Sequence, residues 1–121
     1  YPIRSAFSPG SDLLAIGGSK GEVAVWNVHP LRPIAMLGKH QNHVQSISFS
    51  KDGNQIVSAS DDSTVKVWDV KRKRLVSSLE HTAPVLSATF SPDGKRIVTG
   101  GHDEIVRLYT RRRTLWGWPI E

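Results

Sequence analysis

The chain is written in short runs that alternate apolar with polar residues. In "TVKVWDV" (Thr64–Val70) and "IVRLYT" (Ile105–Thr110), β-branched, aliphatic and aromatic residues recur at a period of two. That pattern predicts strands. Each is preceded by an apolar run, "QIVSAS" or "RIVTGG", and before that by "FSKDG" or "FSPDG". The Pro, Asp and Gly of those strings supply turn-compatible backbone angles. Tight turns are predicted at "DDST" and "HDEI", and a fourth run, "RPIAMLG" or "RLVSSLE", leads onward. No stretch sustains a helical period.

These elements recur. "FSPGS", "FSKDG" and "FSPDG" begin at Phe7, Phe49 and Phe90, spaced by 42 and 41 residues. The same spacing carries Trp26 to Trp68 to Tyr109, Val23 to Val65 to Val106, and "AIGG" to "VSAS" to "VTGG". Several anchors in one register, without an internal gap, make this a true repeat. Four antiparallel strands per period of about 40 residues describe one β-propeller blade. The expected fold is all-β: three blades, about 1–38, 39–79 and 80–121, in a single domain. Propellers close with about four to eight blades, so three predict an open arc or part of a larger ring. The chain starts at Tyr1 and its first repeat begins mid-motif, which points to a piece of a longer protein.

The second unit resembles a WD repeat through His40, Val44, "FSKDG", "VSAS", Asp62 and the closing Trp68–Asp69. The third is similar through His81, Val85, "FSPDG", "VTGG" and Asp103, with Tyr109–Thr110 replacing Trp-Asp. The first is degenerate, with Ile16 and Lys20 at the places of Ser58 and Asp62. Lys39 and Glu80 stand where the family has Gly before the histidine. The resemblance implies a hydrogen-bonded set in each good repeat. Trp68 would donate to Ser58, Ser58 would meet His40, and His40 would meet Asp62. His81, Thr99, Asp103 and Tyr109 would form the third unit's set, with a hydroxyl placed differently from an indole N–H.

Ser58, His40 and Asp62 are also the residue types of a hydrolase triad, which needs an exposed nucleophile, an oxyanion hole and a cleft. The same kit recurs one repeat later, and this favours architecture over chemistry. No catalytic residue is assigned. His40 and His43 lack a third ligand close in sequence, and no metal is expected, since closed zinc sites take four ligands. His43 reads as an ordinary loop residue. The Gly pairs at 17–18 and 100–101 lack the helix and Lys-Ser/Thr ending of a phosphate loop, so no cofactor is implied.

Composition changes the picture in two places. The chain has 121 residues, no cysteine and a formal net charge of +5. Disulfides and thiolate metal sites are excluded within it, and a cytoplasmic or nuclear setting fits. Apolar runs are too short for a membrane-spanning helix. The excess charge is concentrated in Lys71, Arg72, Lys73 and Arg74 and in Arg111, Arg112 and Arg113, which follow the third strand of adjacent units. They are either solvated turns or a strip for an acidic partner, anionic lipid or nucleic acid. Trp116 and Trp118, near the end, would share one face of a fourth strand, as an outer strand or as a partner-binding anchor. The expected function is a non-catalytic scaffold for protein–protein interactions. Its partners would be other proteins, acidic ones among them, with self-association or a further propeller segment closing the ring. The alternative is a nucleic-acid or anionic-lipid binder using the basic strip.

Overall fold

Three sheets stack face to face, and each is a meander in sequence order. The structure, a computed structural model, describes residues 3–110. The first sheet holds β1 (Arg4–Phe7), β2 (Leu13–Gly17), β3 (Glu22–Asn27) and β4 (Arg32–Lys39). The second holds β5 (Val44–Phe49), β6 (Gln55–Ser60), β7 (Thr64–Asp69) and β8 (Arg74–Glu80). The third holds β9 (Val85–Phe90), β10 (Arg96–Gly101) and β11 (Val106–Thr110). All pairings are antiparallel, and there is no helix among the described residues. Arg111–Arg113, Trp116 and Trp118 lie outside the described residues.

The recurring "FSxDG" string is a turn device. Asp52 Oδ1 accepts from the Ser50 hydroxyl at 2.6 Å and from the Asn54 amide at 2.9 Å. Ser50 Oγ in turn accepts the Gln55 amide, the first residue of β6, at 3.1 Å. Ser91, Asp93, Lys95 and Arg96 repeat these bonds before β10. Gly53 and Gly94 take φ of +76° and +73°, a region in which a side chain is disfavoured.

The core lies between the sheets. Val44, Ile47, Ile56 and Trp68 of the second sheet pack on Ala15, Val23, Val25 and Leu37 of the first. Its other face sets Val57, Ala59, Val65 and Val67 against Val85, Ala88, Ile97 and Tyr109 of the third. Burying a side chain of this size contributes about 1.5–3 kcal/mol relative to exposure. The middle sheet is covered on both faces, so β6 is buried along its whole length. Among the described residues, nothing packs on the outward faces of the first and third sheets. Met36 is 64% exposed and Val106 75% exposed.

The meander sends successive connections to alternate ends of the stack. The loops β4–β5 and β8–β9 and the turns β2–β3, β6–β7 and β10–β11 gather at one end, the histidine end. The turns β1–β2, β3–β4, β5–β6, β7–β8 and β9–β10 gather at the other.

Candidate functional site

His40 enters from the loop after β4, Ser58 from β6, Asp62 from the β6–β7 turn and Trp68 from β7. The Trp68 indole N–H donates to Ser58 Oγ at 2.8 Å. An indole nitrogen can only donate, so it occupies a lone pair of Ser58. The Ser58 hydroxyl proton is then directed at His40 Nε2, 2.7 Å away. That leaves the ring proton on Nδ1, where Asp62 Oδ2 and Thr64 Oγ1 each lie at 3.0 Å. Burial pushes the His40 pKa down, and the Asp62 charge only partly opposes this, which favours the uncharged ring at neutral pH.

Asp62 is fully used. Its Oδ2 also accepts the Gln41 amide at 2.9 Å, while Oδ1 accepts the Thr64 amide at 2.9 Å and the Thr64 hydroxyl at 2.6 Å. Burial alone would raise this carboxyl. The bonds from Thr64 and Gln41, with the His40 ring, outweigh it and hold the pKa below the ordinary value. Thr64 carries no signal in the sequence reading, because its role depends on the turn folding it beside Asp62.

The order Asp62, His40, Ser58 matches that of a hydrolytic triad, but the surroundings do not. Ser58 is fully buried, its hydroxyl faces His40, and Trp68 covers its other side. A nucleophile needs an approach for substrate. This set instead ties two strands, their turn and the loop entering β5 into one unit, with every polar group paired.

A second network beside it was not legible in the sequence. His43 is buried, at 4% exposure, and its Nε2 lies 2.9 Å from Asp61 Oδ2. Gln45 Nε2 donates to Asp61 Oδ1 at 3.1 Å, and Gln45 Oε1 accepts from Arg4 at 3.4 Å. Ser60 Oγ donates to the His43 carbonyl at 2.9 Å and accepts the Asp62 amide at 3.1 Å. His43 therefore holds its loop to the neighbouring turn. Among the described residues, no three His, Cys, Asp or Glu side chains converge to hold a metal ion.

The third sheet keeps part of the set and changes the rest. His81 Nε2 lies 3.0 Å from Thr99 Oγ1 and 3.1 Å from the Tyr109 hydroxyl. Tyr109 thus reaches the histidine directly, whereas Trp68 stops at the serine. His81 Nδ1 donates to the Leu79 carbonyl at 3.2 Å. Burial lowers the His81 pKa against the pull of that carbonyl, and Arg107 lowers it further. Asp103, expected beside His81, makes no hydrogen bond to it. Its carboxylate takes Arg107 at 3.0 Å, the Thr82 hydroxyl at 3.2 Å and the Ile105 amide at 3.1 Å. The register explains the change. Ile105 stands at the position of Thr64 and has no hydroxyl, and Arg107 stands at that of Lys66. Lys66 turns away to Ser78 Oγ at 3.1 Å, whereas Arg107 captures the carboxylate.

Exposed polar residues mark the histidine end and the sequence-predicted basic candidates mark the other. Gln41, Asn42, Thr82, Ser19 and His102 are exposed at the histidine end. Lys71, Arg72, Lys73 and Arg74 are exposed in and beside the β7–β8 turn at the other. Asp69 Oδ1 closes that turn by accepting the Arg72 amide at 2.8 Å.

Comparison with known proteins agrees with this geometry. The family model for the WD domain, G-beta repeat, matches residues 31–69 and 73–110, more than half of the chain. The chain is 36% identical over 78 residues to the COMPASS component SWD1 of Saccharomyces cerevisiae, covering 59% of this chain and 18% of that protein. It is 35% identical over 75 residues to the Target of rapamycin complex subunit LST8 of the same yeast, covering 60% of this chain and 24% of that protein. The chain thus spans less than a quarter of the length of either relative. The Cps50 (Swd1) β-propeller domain of Myceliophteria thermophila superposes with a TM-score of 0.85 at 23% identity, over 89% of this chain and 35% of that one. On the matched repeats and the hydrogen-bonded blades that embody them, the chain belongs to the WD-repeat family of β-propellers.

Proposed function

We propose that this chain is a non-catalytic WD-repeat scaffold segment that binds other proteins through the loops of its histidine end. One observation carries the reading. The buried His40 and His43 networks fix the β4–β5 loop to the β6–β7 turn while leaving Gln41 and Asn42 exposed beside them. A loop immobilised before binding loses little entropy on docking, which suits recognition. Two relatives, a COMPASS component and a Target of rapamycin complex subunit, are by their names parts of assemblies.

The bare sheet faces are a second contact surface. Val98, Val106 and Leu108 occupy the register of Val57, Val65 and Val67, which are buried against the third sheet. A further blade-like sheet, from a longer chain or a second copy, would cover them.

The test is quantitative affinity purification with the wild-type chain and with Gln41→Ala/Asn42→Ala/Thr82→Ala, alongside thermal melts. Loss of a defined set of bound proteins with unchanged melting supports the reading. Retained proteins identical for wild type and variant sink it.

A further inference from the structure

The charges of the described residues are divided unevenly between the ends, and the histidine end mixes Arg4, Lys20 and Lys39 with Glu22, Asp61, Asp62, Glu80, Asp103 and Glu104. Arg32, Lys51, the Lys71–Arg74 run, Lys95 and Arg96 are all exposed at the end opposite the histidines. Among the described residues, only Asp12, Asp52, Asp69 and Asp93 oppose them there. Three of these commit a carboxylate oxygen to their own turns. The ion pairs among the described residues, His40–Asp62, His43–Asp61 and Arg107–Asp103, all lie toward the histidine end. The basic end therefore carries a positive field contributed by all three sheets.

The same end exposes apolar side chains among the cations. Leu31, in the β3–β4 turn beside Arg32, is 66% exposed, and Leu75, beside Arg74, is 43% exposed. Phe7, at the end of β1, is 62% exposed. Single-stranded nucleic acid is held on successive aromatic platforms, and among the described residues this end exposes one Phe. Aliphatic tips set in a basic surface match a bilayer, where cations meet anionic headgroups and short apolar groups enter the acyl boundary.

We propose that the basic end docks peripherally on an anionic phospholipid surface, with Lys71–Arg74 on the headgroups and Leu31 inserted beside Arg32. This goes beyond protein scaffolding, since it uses the opposite end and leaves the histidine end free.

The test is co-sedimentation of the whole chain with vesicles of phosphatidylcholine alone or mixed with phosphatidylserine, across a salt series. One variant carries Lys71→Gln, Arg72→Gln, Lys73→Asn and Arg74→Gln. Asn is chosen for Lys73 because its φ is +56°. The second variant is Leu31→Ser. Binding to the anionic vesicles only, weakening with salt, is expected. The charge variant should lose about tenfold or more in partitioning. Leu31→Ser should weaken binding at every salt concentration while melting as the wild type does. Equal binding to both vesicle types, or anionic binding unaffected by the charge variant, overturns the proposal. So does RNA binding that survives Leu31→Ser in the absence of any vesicle binding.

Discussion

The Trp68 indole and the Ser58 hydroxyl meet at 2.8 Å in the interior, where neither has access to water. Ser58 serves two partners, accepting a hydrogen bond from Trp68 and donating one to His40. Ser58→Ala leaves both unpaired. The expected loss is about 1–3 kcal/mol in urea unfolding. An unchanged unfolding midpoint would show that the set carries no stability.

Gly38, on β4, lies against the Trp68 ring from the neighbouring sheet, and a methyl group there would overlap the ring atoms. Trp68 is 2% exposed and bonded to Ser58, so it has little room to yield. Gly38→Ala should destabilise the chain by about 1–3 kcal/mol through overpacking. Near-ultraviolet circular dichroism should change along with the thermal midpoint. A wild-type melt in this variant would contradict the close contact.

Two histidines, the buried His40 and the half-buried His81, make stability pH-dependent. His40 and His81 sit below the ordinary value of 6.5, chiefly through burial. Unfolded histidine then binds more protons than native histidine below that value. Their contribution is complete above pH 6.5 and is lost as pH falls toward the native pKa values. Asp62, held below 3.8, contributes above that value and loses its contribution as pH falls further. Urea midpoints between about pH 8 and pH 3 should thus decline in two stages. In His40→Asn the first stage should shrink. An identical profile in that variant would rule out His40 as its source.

Asp62 and Asp103 share a register position but should not respond alike. Removing Asp62 strands the Gln41 and Thr64 amides and the Thr64 hydroxyl and leaves His40 Nδ1 with Thr64 Oγ1 alone, a loss of about 1–3 kcal/mol. Asp103 is bonded to Arg107 and Thr82 at a more open site, so Asp103→Ala should cost less than Asp62→Ala. Parallel urea titrations decide this. Equal losses would show that the histidine contact is not what makes Asp62 valuable.

The blade pattern was legible because its determinants are local. Alternation sets which side chains lie on which face, and "FSxDG" closes its own turn within a few residues. The set around His40 could be named through resemblance, since its members keep fixed positions in the repeat. The departures could not. Asp103 leaves His81 because Ile105 and Arg107 replace Thr64 and Lys66, and the effect of that exchange appears only when β11 places the guanidinium beside the carboxylate. Asp61 joins His43 for a similar reason, since the β5–β6 hairpin brings together residues that the sequence holds apart.

Val57 and Val98 mark the boundary between the two kinds of information. They are the same residue at the same repeat position, on β6 and β10. Val57 is fully buried and Val98 is 38% exposed. Val65 is fully buried and its counterpart Val106 is 75% exposed. The sequence by itself determined the strands, their turns and which side chains share a face, since these follow from backbone geometry over a few residues. Only the tertiary structure decided which of those faces is a core. Burial of an apolar face is a property of what lies against it, and among the described residues the third sheet has a neighbour on one side alone.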